Sequence, residues 1–193
     1  MATKTALLIV DMQNDFTKPG ARAYYPTTEK LMETFEQKIN VLRNKGVQIV
    51  IIYSLVPDDH KPDPELTRIT KTTRTLVEGT YGAEIDESIS YDPTRDWKMR
   101  KYAASSFLHT DLAQRLKEAG IENVLVSGVK TNVCCRHTTV DSASHGFRTI
   151  LVSDMLATNT QELQDFHLKE LGHQYATPMT FEEVCELLDA GKL

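Results

Sequence analysis

The sequence predicts an α/β protein: one three-layer α/β/α domain, Rossmann-like, built on a mostly parallel sheet of about six strands. Three observations carry this. Short apolar runs rich in β-branched residues alternate with helical patterns, as expected for a parallel sheet buried on both faces. The helical patterns end on matching stop signals, with Gly46, Gly120 and Gly146 each just past a periodic stretch. The chain has 193 residues, 40% of them hydrophobic, enough for one core of ordinary size, so residues 1–193 read as a single domain.

The clearest strands are TALLIVD at 5–11 and VQIVIIYS at 47–54. Further strands are expected at 96–101, 123–128 and 148–154, with a short one at 173–176. Helices are expected at 27–45, at 110–119 opened by Thr110 and Asp111, at 131–145, at 160–171 and at 180–190. The stretch 55–95 contains Pro57, Pro62, Pro64 and Pro93 and has no strong period. It reads as a long excursion over the surface, a lid or substrate loop with room for a short helix.

Charge and cysteine content narrow the function. A net charge of −5, with acidic and basic residues mixed along the chain, leaves no basic tract for nucleic acid or anionic lipid. The five-residue apolar run before Asp11 is too short for a signal or membrane segment, so a cytoplasmic protein is expected. Three cysteines, two of them adjacent, make no disulfide framework. Cys134 and Cys135 could bridge each other only through a strained ring, and they lack the C-x-x-C grip of a metal site.

In such a fold ligands bind outside the carboxyl ends of the strands, which singles out Asp11, Ser54, Lys101, Gly128 onward and Asp154. Cys134 falls in the first turn of the helix after Gly128, where orphan N–H groups and the helix dipole favour a thiolate. Cys135 lies about 100° further around the helix, so only one of the two can face the cleft. Taken singly, each residue also has a structural role open to it: a packed cysteine, a capping Asp11, a solvated Lys101. Together a base, a cation and a thiol at three strand ends form a nucleophilic constellation.

LLIVDMQNDF at 7–16, GTYGAEI at 79–85, KYAASSFLHTDL at 101–112 and GVKTNVCC at 128–135 resemble successive motifs of the isochorismatase-like cysteine hydrolases. The similarity runs from residue 5 to about 157, and the first and last of these motifs are the specific pair. The resemblance implies a catalytic triad of Asp11, Lys101 and Cys134, with Cys135 packed behind the nucleophile. Lys98 competes for the lysine role, but the K-x-x-x-S-x-F-x-x-T-D-L pattern fits Lys101 without a gap. The resemblance further implies a non-proline cis peptide between Val129 and Lys130, an oxyanion hole formed by the N–H groups of Lys130 and Cys134, and a homo-oligomer.

Two departures bear on the substrate. Lys130 stands where family members mostly place an apolar residue, and its cation could meet a substrate carboxylate or simply solvent. The metal site of nicotinamidases is matched only by Asp58 and His60, which leaves a metal ion and any other cofactor unexpected. Phe16, Tyr81 and Trp97 are candidates to line an apolar pocket. The expected activity is hydrolysis of a small amide, ureido group or related C–N bond through a thioester. A catalytically retired binding or scaffold member, a nicotinamidase and a thiol redox protein are the alternatives.

Overall fold

Six parallel strands form one sheet in the order β3-β2-β1-β4-β5-β6 in the computed structural model, which describes residues 4–57 and 75–193. The strands are β1 (Thr5–Val10), β2 (Gln48–Ser54), β3 (Trp97–Lys101), β4 (Asn123–Val129), β5 (Arg148–Ala157) and β6 (Thr177–Met179). β1 and β4 are buried along their whole length, because helices cover both faces and the chain supplies apolar side chains to each. Alternation sorts them: Leu7, Ile9, Ile49, Ile51 and Leu125 face one layer, and Ala6, Leu8, Val50, Ile52, Val124 and Val126 the other.

The first layer is built on α1 (Asn14–Thr17), α2 (Thr27–Asn44) and α6 (Phe181–Asp189). α2 buries Leu31, Phe35, Ile39 and Leu42, a helical stripe that seals one face of the sheet. α6 starts with a capping box, in which Thr180 and Glu183 satisfy each other's backbone N–H groups, and buries Val184 and Leu188. The second layer holds α3 (Leu112–Glu118), α4 (Arg136–Ser144) and α5 (Gln161–Gln174). α4 packs through small hydroxyl residues: Thr138 lies 2.9 Å from the Ser106 hydroxyl, and Ser142 lies 2.8 Å from that of Thr149. No helix among the described residues is long and apolar enough to cross a membrane.

The predicted α/β architecture with six strands is therefore present. Several boundaries differ from expectation, and β5 runs on to Ala157, past the predicted end at 154. α5 continues to Gln174, where the sequence predicted a strand from 173, and the chain leaves the helix only at Tyr175, whose N–H still reaches Leu171. β6 begins at Thr177 and contains Pro178, which has no N–H to donate and so suits the edge of the sheet. The helix expected over 131–145 is split, with a π turn at Thr131–Cys135 leading into α4. Of the 55–95 excursion, residues 58–74 lie outside the described residues. The rest is loop with a 3-10 turn at Tyr81–Ala83 and a bridge between Val56 and Val77.

The sheet order reverses direction between β1 and β4, the position at which such folds open a crevice at the strand ends. There Val10 pairs with Gly128. A Cβ on Gly128 would sit 2.2 Å from the Val10 carbonyl oxygen, and its φ of +105° is one that L side chains rarely adopt. Only glycine lets the ends of the two central strands meet. Gly128→Ala should therefore lower stability by about 3 kcal/mol in urea unfolding, from backbone strain and overlap together. An unchanged unfolding midpoint would contradict this packing.

Candidate active site

At the end of β1 the chain turns sharply. Asp11 takes a φ of +53°, which aspartate tolerates better than most residues, and its N–H still bonds the Ile52 carbonyl at 2.9 Å. In an unbroken strand Asp11 would share the face of Leu7 and Ile9. The left-handed turn ends that alternation, and the carboxylate meets Lys101 and Ser54. Asp11 Oδ2 lies 3.0 Å from Lys101 Nζ, and Oδ1 accepts from the Ser54 hydroxyl at 2.9 Å. Both members of this ion pair are fully buried.

The residues after Asp11 fasten the site together. Gln13 donates to the carbonyls of Ser54 (2.8 Å) and Ala83 (2.6 Å) and accepts from the Ser54 N–H (2.9 Å). Asn14 donates to the Tyr81 carbonyl at 2.9 Å, and Asp15 accepts the Leu76 N–H at 2.6 Å. The first-strand motif is thus a polar clasp that holds the returning end of the long excursion against β1 and β2. Gly82 is part of it: a Cβ there would lie 2.3 Å from the Asp15 carboxylate.

Lys101 ends β3 with its ammonium in the interior. Removing such an ion from water costs several kcal/mol unless charges and hydrogen bonds compensate. Three groups do so: Asp11 Oδ2, the Ala103 carbonyl at 3.0 Å and Cys134 Sγ at 3.5 Å. Lys98 lies on the exposed side of β3, its ammonium 5.6 Å from the centre of the Tyr53 ring and 5.8 Å from that of Tyr91.

Cys134 and Cys135 lie in the π turn, where the Lys130 carbonyl accepts from both Val133 and Cys135. Single π turns often mark functional positions in helical segments. The neighbouring residues hold it down. Thr131 donates to Gln164 of α5 at 2.6 Å, and Thr158 donates to Asn132 at 2.6 Å. The Val129–Lys130 peptide just before the turn is cis. Cys134 points its sulfur at Lys101, whereas Cys135 is fully buried with its sulfur 3.8 Å from the Ser127 carbonyl. Burial, then the neighbouring Cys134 and Asp11, push the Cys135 thiol well above its ordinary range, with Lys101 opposing. Cys135 thus stays a neutral, packed thiol.

The remaining expected site residues scatter. Phe16 is buried in α1 among the core side chains of the α2 layer. Tyr81 is exposed, its hydroxyl 3.5 Å from Glu87, and it serves the site through its backbone carbonyl. Trp97 lies apart from the ion pair. It starts β3, four residues from Lys101 and so about 13 Å away along the strand, with the Arg115 guanidinium 4.6 Å from its ring centre. Lys130 places its ammonium 5.1 Å from the centre of the Tyr25 ring. Asp58 and His60 lie outside the described residues, among which no group of three His, Cys, Asp or Glu side chains could hold a metal ion.

Sequence reasoning gave no role to Gln13 and Tyr25 and only flagged Ser54 by position. Gln13 lies inside a motif that carries the resemblance, so it could have been found. Tyr25 gives no local signal, since an aromatic residue before the first turn of a helix reads as core.

Residues 5–183 match the isochorismatase domain family. The chain is 27% identical to the maleamate amidohydrolase of Pseudomonas putida, over 96% of this chain and 87% of that one. It is 25% identical to a probable inactive nicotinamidase of Arabidopsis thaliana, over 95% of this chain and 96% of the other. An isochorismatase-like hydrolase from Alkaliphilus metalliredigens superposes with a TM-score of 0.80 at 27% identity, covering 97% of this chain and 99% of its own. With the match spanning nearly the whole chain, this protein belongs to the isochorismatase domain family of hydrolases.

Proposed function

We propose that the protein is a cysteine amidohydrolase that cleaves a small amide, ureido or related C–N bond through a thioester on Cys134. The observation that carries the reading is the buried Lys101 ammonium, in contact with both the Asp11 carboxylate and the Cys134 sulfur. A lysine in that position can hold a thiolate and a carboxylate at once and gives neither of them up to solvent.

Asp11 takes the thiol proton of Cys134, and the thiolate attacks the carbonyl carbon of the substrate. The resulting oxyanion is held by the N–H groups of Lys130 and Cys134. Protonated Asp11 then gives its proton to the leaving nitrogen, the C–N bond breaks, and ammonia or an amine departs from the thioester. Asp11 next deprotonates a water molecule, whose oxygen attacks the thioester carbon. Collapse expels the thiolate, which recovers its proton from Asp11, and the carboxylic acid product leaves. Lys101 stays charged throughout, and Ser54 and Gln13 keep the carboxylate and the strand ends in place.

The amidase activity named for the P. putida relative supports an amide substrate. The relative named as probably inactive favours a second reading, a retired member that binds without turnover. A panel of amides, ureido acids and nicotinamide assayed for ammonia release separates the two, together with mass spectrometry of the quenched enzyme for an acyl group on Cys134. Turnover with a Cys134 adduct is expected, and its absence across the panel would favour the retired reading. Cys134→Ala should abolish hydrolysis and Cys135→Ala should leave most of it, because Cys135 turns its sulfur toward β4. Equal losses would overturn the assignment of the nucleophile. Dialysis against a strong chelator should leave the rate unchanged, and activity restored only by added zinc or iron would contradict this mechanism.

A further inference from the structure

Tyr25 stands just before α2 and is 4% exposed. Its carbonyl accepts both the N–H and the hydroxyl of Thr28, so the first turn of α2 fixes its backbone. Its own hydroxyl has no hydrogen-bond partner among the described residues. A buried hydroxyl left in that state costs about 1–3 kcal/mol, and phenylalanine would fill the same space without the penalty. An acceptor supplied by a ligand removes the cost. The ring packs in the same core cluster as Val129, the residue before Lys130 and the cysteine turn. The Lys130 ammonium lies 5.1 Å from the centre of the same ring.

We propose that Tyr25 and Lys130 form the specificity end of the active site and that they take a carboxylate, so that the substrate is a small amide or ureide carrying an acidic group. The phenol donates to one carboxylate oxygen and the ammonium supplies the opposite charge. Burial first, then the nearby cysteines and Asp11, hold the phenol well above its ordinary range, so it remains a donor at every working pH. Lys101 is not the group that takes it, since its charge is already taken up by Asp11 and Cys134. Anionic substrates are thereby placed with their neutral carbonyl toward the nucleophile. This inference rests on Cys134 being the nucleophile.

Two alkylating reagents of nearly the same size test it without knowledge of the substrate. Iodoacetate carries a carboxylate and iodoacetamide does not, and in both the Cys134 thiolate displaces iodide to form a thioether. The ratio of their rate constants at Cys134, resolved by fragment mass spectrometry, cancels any change in the reactivity of the thiolate itself. In the unaltered protein this ratio should exceed that of glutathione under the same conditions. Tyr25→Phe and Lys130→Met should each lower it about tenfold, the worth of a hydrogen bond to a charged group. The melting temperature of Tyr25→Phe should stand at or above that of the unaltered protein. Ratios unchanged in both variants, including a parallel fall of both rate constants, would overturn the carboxylate subsite while leaving the nucleophile in place. Failure of both reagents to modify Cys134 would overturn the nucleophile and this inference with it.

Discussion

The arrangement of the site depends on one buried positive charge. Lys101 has no exposure to solvent, and an ammonium buried there without partners would destabilise the fold. It is kept by the Asp11 carboxylate, by the Ala103 carbonyl and by the Cys134 sulfur, which together replace its water shell. Each of these groups comes from a different element: the end of β1, the loop after β3 and the π turn after β4. The charge therefore ties three strand ends to one point, and every other feature of the site holds those ends in register.

Gly128 lets β4 approach β1 closely enough for the π turn to face Asp11. Gln13 locks the end of β2 to the first-strand motif, and Ser54 donates to the carboxylate oxygen that Lys101 does not contact. Thr131 with Gln164, and Asn132 with Thr158, hold the cysteine turn against α5 and the end of β5. A buried ion pair of this kind contributes little net stability compared with an apolar packing of the same volume, whereas removal of one partner is costly. Its retention is accounted for by chemistry better than by stability: a fixed cation beside a thiol favours the thiolate.

Much of this was legible in the sequence because it follows from periodicity and from residues with a narrow range of roles. The β-branched runs reported a sheet covered on both faces, and the strand-end positions of Asp11, Lys101 and the Gly128 segment brought them together before any geometry was known. The strand assigned to 173–176 was in fact the end of α5, since exposed polar residues such as His173 and Gln174 prolong a helix as readily as they end one. Tyr25 was missed altogether. Its significance comes from a hydroxyl without a partner among the described residues and from the company of Lys130, which is distant in sequence and adjacent only in the fold.

The central claim is that Asp11, Lys101 and Cys134 act as one unit. It is tested most directly by the pH dependence of Cys134 alkylation by iodoacetamide in the unaltered protein, Asp11→Asn and Lys101→Ala. The account predicts slower alkylation in Asp11→Asn, because the thiol loses its proton acceptor. It predicts a midpoint moved to higher pH in Lys101→Ala, because the cation that favours the thiolate is gone. Three superimposable profiles would contradict it.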